Sequence, residues 1–134
     1  MSIRFRAERG VSNPEAVWRR LASVADMPRY WGGHRAVRVL GRRGSAYLVE
    51  VVFAFPGPFN RGVAEVEVDE VGRAVVLRYL RGPFRGVVRN YVAGGRVVSE
   101  WDVVLGWWLR PLRRWLASHF RRGAERALER LEMG

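Results

Sequence analysis

Apolar and polar residues alternate through the first ten positions of the chain. Ile3, Phe5 and Ala7 alternate with arginine and glutamate, which is the pattern of a strand with one buried face. A helix is predicted to begin after Asn13, a good N-cap residue, with Pro14 at its first position. The segment that ends at the following Gly-Gly pair is predicted to form a second short helix or turn.

Period-two alternation then runs from residue 34 to residue 105 and predicts six further strands, joined as three hairpins. The turns are predicted at residues 42–44, 71–72 and 94–95, each of which contains glycine. In the first hairpin, Phe53 and Phe55 continue the apolar face. The predicted same-face pairs are Val39/Tyr47, Val37/Val49, Val68/Val75, Val66/Leu77, Ala64/Tyr79, Val92/Val97, Asn90/Ser99 and Val88/Trp101.

Acidic side chains of the strands fall on the opposite, outer face in these registers. Two of them meet arginines across a hairpin, in the predicted pairs Glu65/Arg78 and Arg89/Glu100, which supports both registers. A buried pair of carboxylates for acid–base catalysis is therefore not predicted.

A long amphipathic helix is predicted over residues 108–132, with Pro111 in its first turn. Its apolar stripe, spaced at three and four residues, comprises Leu112, Trp115, Leu116, His119, Phe120, Ala124, Ala127, Leu128 and Leu131. Helices at both ends of an antiparallel sheet indicate the α+β class, and this helix is the element large enough to cover one face of the sheet.

Composition narrows the chemistry of the chain. Its 134 residues suit a single domain over 1–134, and neither a run of about 18 apolar residues nor a signal peptide is present, so we expect a cytoplasmic protein. Cysteine and lysine are absent, which excludes thiolate and Schiff-base chemistry. With His34, expected in a loop, and His119 as the two histidines, neither a metal site nor a cofactor is predicted. The missing threonine and glutamine suggest biased codon usage or heat adaptation.

The segment NPEAVWRRLASVADMPRYWGGHRAVRVL, with the order of elements that follows it, resembles the START-like superfamily, also called SRPBCC or helix-grip proteins. The resemblance implies a curved seven-stranded antiparallel sheet around the long C-terminal helix, with two short helices after the first strand. It also implies that a hydrophobic small molecule, such as a lipid, isoprenoid or polyketide-like compound, binds in a cavity between sheet and helix. A cyclase or dehydratase activity is an alternative that the same resemblance allows.

Candidate cavity residues follow from the inward faces of the predicted strands and helix. They are Tyr47, Val51, Phe53, Phe55, Val66, Leu77, Tyr79, Val88, Asn90, Ser99, Trp101, Leu116, His119 and Phe120. Asn90 and Ser99 have an alternative role, because they can hydrogen-bond each other across their hairpin without touching a ligand.

A repeated Gly-Pro-Phe motif, in GPFNRG and GPFRG, occupies two of the predicted connections between strands. In an antiparallel meander both connections lie at one end of the sheet, where Phe59, Phe84, Trp107 and Trp108 are predicted to surround the mouth of the cavity. The alternative is that these aromatic side chains fill the end of the core.

The net charge of +11 leaves further interpretations open. Arginine interleaved with exposed aromatics favours an RNA-binding or anionic-surface module, with peripheral membrane contact as one form of it. A solvated surface, with ion pairs of the thermophilic type, explains the same charge without any partner.

Overall fold

The computed structural model describes residues 2–54 and 60–134 of the chain. It begins with strand β1 (Ser2–Gly10), helix α1 (Pro14–Ala22), a 3-10 turn (Val24–Asp26) and helix α2 (Met27–Tyr30). The strands that follow are β2 (His34–Arg43), β3 (Ala46–Phe53), β4 (Arg61–Asp69), β5 (Ala74–Arg81), β6 (Phe84–Ala93) and β7 (Arg96–Leu105). A 3-10 segment (Trp107–Leu112) leads directly into helix α3 (Arg113–Met133).

The seven strands form one antiparallel sheet in the order β1-β7-β6-β5-β4-β3-β2. Helix α3 packs against β1 and β7, and it also contacts α1 and α2. The core lies between this helical layer and the concave face of the sheet, which confirms the predicted α+β helix-grip fold.

Helix α1 begins as its sequence indicates. The Oδ1 atom of Asn13 accepts a hydrogen bond from the Ala16 backbone N–H at 3.2 Å, and Pro14 occupies the first turn. Val17, Trp18 and other apolar side chains of α1 are buried, and this side of the helix covers part of the sheet.

The second and third hairpins have the predicted registers, and the ion pairs Glu65/Arg78 and Arg89/Glu100 form across them. The register predicted for the first hairpin is wrong. Val39 lies opposite Val49, because the two-residue turn at 44–45 and a bulge after Val39 shift the pairing. The shift is by two residues at this point, so Tyr47 and Phe53 keep the predicted face of the sheet.

The long helix differs from its prediction at the N-terminal end. Residues 107–112 are 3-10, with Pro111 inside that segment, and the α-helix begins only at Arg113. Trp115 and His119 were predicted on the apolar stripe, but both side chains are exposed. The buried face is set by Ala124, Ala127, Leu128 and Leu131, and a period of 3.6 residues places positions 115 and 119 away from it.

The glycines that end the two repeated loops have a structural role. A Cβ atom at Gly62 would overlap the Arg81 carbonyl oxygen, and one at Gly86, which has φ +139°, would overlap the Asp102 carbonyl oxygen. Gly62 also lies beside Gly82, so the described residues at the ends of the two connections lie at one end of the sheet, as predicted. The repeated Arg-Gly therefore reflects close approach of neighbouring strands, for which only glycine leaves room.

Candidate functional site

Five aromatic side chains form a contiguous group on the concave face of the sheet, called here the aromatic cluster. Its members are Phe53, Tyr79, Phe84, Trp101 and Phe120. The ring centroids of Tyr79 and Phe84 lie 4.8 Å apart, those of Phe84 and Phe120 5.2 Å, and those of Trp101 and Phe120 5.4 Å. Phe120 is the member that belongs to α3, so the cluster joins the sheet to the helix.

A polar pair, His34 and Tyr79, lies at the edge of this cluster. The Nε2 atom of His34 is 2.8 Å from the Tyr79 hydroxyl, and the two rings stack with centroids 6.0 Å apart. His34 is only 6% exposed, and its ring also contacts Phe53 at a centroid distance of 5.6 Å. The expectation that His34 is a loop residue is therefore wrong, because it is the buried first residue of β2.

Burial determines the charge state of this pair. It lowers the pKa of His34 to about 4 and raises the pKa of the Tyr79 hydroxyl, so both groups are neutral at pH 7. The Nδ1 atom of His34 is buried and has no hydrogen-bond partner among the described residues. Depending on the tautomer, this atom can donate or accept one further hydrogen bond.

A second polar group differs from this pair in its bonding. The Ser99 hydroxyl donates to Asn90 Oδ1 at 2.6 Å and accepts from Trp101 Nε1 at 2.9 Å. All three side chains are buried. The predicted hydrogen bond across the β6–β7 hairpin is thus confirmed, and it extends to the neighbouring tryptophan.

One small cavity lies between the sheet and the helices among the described residues. A cavity of about 10 Å³ lies where α1 and α2 cover β5 and β6, and Leu77, Asn90 and Leu131 contribute to its wall. That is room for the centre of one water molecule. Side chains therefore fill most of the described interior at this place.

The predicted cavity residues are mostly buried on the concave side. Val51, Phe53, Val66, Leu77, Tyr79, Val88, Asn90, Ser99, Trp101 and Leu116 are buried. Tyr47 and Phe120 are partly buried and pack against the core. His119 is instead exposed and stacks on Trp115, with centroids 5.0 Å apart, and Phe55 lies outside the described residues.

The structure describes three of the four aromatic residues that were predicted to surround the mouth of the cavity. Phe84 is 4% exposed and belongs to the aromatic cluster, which agrees with the alternative that it fills the end of the core. The Gly106 backbone N–H donates to the Pro83 carbonyl at 2.9 Å, which brings Trp107 and Trp108 to the same end of the sheet as Phe84. Phe59 lies outside the described residues.

Acidic groups and metal ligands offer no alternative site in the part of the chain that the structure describes. Glu50, Glu65, Glu67 and Glu100 pair with arginines on the outer face. No group of three or more His, Asp or Glu side chains among residues 2–54 and 60–134 could hold a metal ion. Within the same residues, no helix has both the length and the hydropathy to cross a membrane.

His34 is the candidate site residue that sequence reasoning missed. Tyr79 was assigned to the cavity because it alternates inward on its strand, and the same rule could not be applied to His34. Two glycines precede His34, and the β2 strand carries a register shift directly after it, between His34 and Ala36. The period of the strand therefore gave no signal at this position.

Protein-family models and curated protein sequences give no match to the chain. Several solved structures, however, match most of the chain. The protein TTHA0849 of Thermus thermophilus is 21% identical, with a TM-score of 0.76 over 97% of this chain and 94% of its own. The Zhui aromatase/cyclase of a Streptomyces species is 17% identical, with a TM-score of 0.74 over 98% and 90%.

A lipid transfer protein with the same fold also matches. The STAR-related lipid transfer protein of Xanthomonas axonopodis is 13% identical, with a TM-score of 0.59 over 97% of this chain and 84% of its own. Identities of this size establish the fold alone. The chain has the START-like, helix-grip fold that the resemblance of its N-terminal segment implied.

Proposed function

We propose that the protein binds a hydrophobic small molecule that carries one hydrogen-bonding group, between the sheet and α3. The observation that carries this proposal is the buried, unpartnered Nδ1 atom of His34 beside the aromatic cluster. A buried polar atom without a partner costs about 1–3 kcal/mol, so a ligand hydroxyl or carbonyl that pairs with it regains that free energy. Apolar walls with few polar groups are typical of small-molecule sites.

The ligand must displace side chains to enter. Sites for drug-sized ligands measure about 300–1,000 Å³, far more than the cavity of about 10 Å³ beside Asn90. Phe120 is the member of the aromatic cluster with the least buried side chain, so it is the ring that we expect to move first. A lipid, isoprenoid or polyketide-like compound has the flat or chain-like shape that fits between aromatic rings.

Two of the three structural neighbours are consistent with ligands of this class, since one is an aromatase/cyclase and the other a lipid transfer protein. The aromatase/cyclase match and the His34–Tyr79 pair together make a cyclase-type enzyme the second candidate. In that reaction Tyr79 would donate a proton and His34 would accept one. A pKa of about 4 makes His34 a weak base at neutral pH, so we favour binding.

The proposal is tested with two small aromatic ligands that differ by one hydroxyl, 2-naphthol and naphthalene, titrated against the protein's tryptophan fluorescence. We expect 2-naphthol to bind more tightly. His34→Leu should weaken 2-naphthol binding about tenfold, the effect of one buried hydrogen bond, and change naphthalene binding less than about twofold.

Tyr91→Phe is the matched control, because that tyrosine lies on the outer face under Arg89, 4.4 Å from its ring centroid. It should bind both ligands like the wild type. If neither ligand binds, or if His34→Leu weakens both equally, the assignment of His34 as the polar contact is wrong. Native mass spectrometry of the purified protein would then reveal whether any other ligand is carried.

A further inference from the structure

Large apolar side chains are exposed where the chain leaves β7 and enters α3. Trp107 is 77% exposed, Trp115 56% and Leu112 50%. Arginines lie between them in the sequence. We call this region the basic–aromatic surface and define it by Trp107, Arg110, Leu112, Arg113, Arg114 and Trp115. Two tryptophans and a leucine, each at least half exposed within nine consecutive residues, concentrate apolar surface in one short segment.

Positive charge on this surface is not neutralised by the protein. Residues 107–126 contain six arginines and one acidic residue, Glu125, which gives a net charge of +5. Arg110, Arg113 and Arg114 form no ion pair with any described residue. On the outer face of the sheet, by contrast, arginines such as Arg78 meet glutamates across the strands.

An open groove runs through the same surface. It has a volume of about 420 Å³ and is lined by Leu105, Arg110, Pro111, Arg113 and Arg114. Its wall is thus apolar at the β7 end and carries three guanidinium groups elsewhere. Guanidinium groups bind phosphate oxygens through paired hydrogen bonds, so the groove can hold a phosphate-bearing headgroup.

We propose that the basic–aromatic surface docks on a bilayer of anionic phospholipid. Tryptophan prefers the membrane–water interface, where its ring is in the apolar layer and its N–H stays hydrated. Arginines beside it can reach lipid phosphates while their aliphatic stems lie along apolar surface. Apolar rings and unpaired positive charge on one surface match the two layers of an anionic membrane.

A nucleic acid would use this surface less well. Base stacking needs free aromatic faces, and His119 already covers one face of Trp115, with an angle of 9° between the rings. Leu112 offers neither a stacking face nor a side-chain hydrogen bond. Neither the stacking of His119 on Trp115 nor the aliphatic side chain of Leu112 opposes insertion into a lipid interface, because insertion requires only exposed apolar area.

Sedimentation with vesicles tests the proposal on the full chain. We expect binding to vesicles of phosphatidylcholine with phosphatidylglycerol, and none to vesicles of pure phosphatidylcholine. Arg113→Ser with Arg114→Ser should weaken binding about 25-fold, since each basic residue at an anionic surface contributes about fivefold. Trp107→Ser with Trp115→Ser should also weaken it and abolish any shift of tryptophan emission upon binding.

Arg38→Ser with Arg61→Ser is the matched control, because it removes the same charge from the outer face of the sheet, where both arginines flank Glu50. This variant should lose less than about threefold in vesicle affinity. Equal losses in both arginine variants would overturn the proposal in favour of non-specific attraction by net charge. It would also be overturned by retention on single-stranded RNA without vesicle binding, or by a dimer in sedimentation equilibrium that the tryptophan variant no longer forms.

Discussion

Two buried polar groups lie on the concave face of the same sheet, and they differ in their hydrogen bonding. In the first, the Ser99 hydroxyl has both a donor and an acceptor partner. In the second, His34 has the Tyr79 hydroxyl at one ring nitrogen and no partner among the described residues at the other. A hydroxyl with both a donor and an acceptor partner is explained by folding alone, whereas an atom buried without a partner needs a further explanation. The difference is the reason why we propose His34, rather than Ser99, as the polar contact of a ligand.

The two groups also form in different ways. Asn90 and Ser99 are opposite each other on adjacent strands, so the hairpin register brings them together. His34 and Tyr79 are on β2 and β5, with β3 and β4 between them. Strands so placed would be about 14 Å apart in a flat sheet, because neighbours are separated by about 4.8 Å. The length of the two side chains and the curvature of the sheet together bring His34 Nε2 and the Tyr79 hydroxyl to 2.8 Å.

The largest effect that separates the two groups is a dependence of stability on pH. His34 has a pKa of about 4 in the folded protein against 6.5 for an ordinary histidine. Between these values the unfolded chain binds more protons, so the free energy of unfolding falls as the pH drops from about 6.5 to about 4. The full loss is about 3 kcal/mol, and no loss due to this histidine occurs above that window.

Urea unfolding of the wild type and of His34→Leu, each at pH 7 and pH 4.5, isolates this contribution. The carboxylates are the same in both proteins, so the difference between them is due to His34. His119→Asn, at the exposed histidine, is the matched control and should keep the wild-type dependence. If His34→Leu loses as much stability as the wild type over this interval, His34 is not buried in its neutral form.

The next largest effect concerns the hydrogen bonds of the Ser99 hydroxyl. Ser99→Ala removes the partner of Trp101 Nε1 and that of Asn90 Oδ1 at once, and both atoms stay buried. We expect the free energy of unfolding to fall by about 2 kcal/mol, measured by urea denaturation, and ligand binding to stay unchanged. Ser45→Ala, in the exposed turn after β2, should have no such effect. A variant of Ser99 that binds ligand less well would place this group in the site as well.

These two groups also show which contacts of the protein can be predicted from its sequence and which cannot. The Asn90/Ser99 pair was predictable because a Gly-Gly turn and the Arg89/Glu100 ion pair specify the β6–β7 register. The bulge after Val39 is accompanied by Gly41, a residue type that often marks a bulge, but this signal was not used and the neighbouring hairpin was misaligned. The apolar stripe of the last helix was predicted too wide, since Trp115 lies on the side of the helix away from Leu128, whereas Leu116 in the same turn is buried. His34 was missed because its partner is three strands away, at a distance set by sheet curvature.

The smallest effect is expected when both members of the pair lose their polar groups. His34→Leu with Tyr79→Phe replaces two hydrogen-bonding side chains by apolar ones of similar volume, and it leaves neither of them with an unpaired polar atom. We expect the free energy of unfolding to stay within about 1 kcal/mol of the wild type at pH 7, whereas Tyr79→Phe alone should cost about 1–3 kcal/mol because both His34 nitrogens are then unpaired. Urea denaturation of the two single variants and the double variant measures the coupling. A double variant as stable as the wild type that no longer prefers 2-naphthol would mean that the pair is retained for its ligand. A severely destabilised double variant would mean that the His34–Tyr79 pair, like Asn90 and Ser99, is retained because it stabilises the fold.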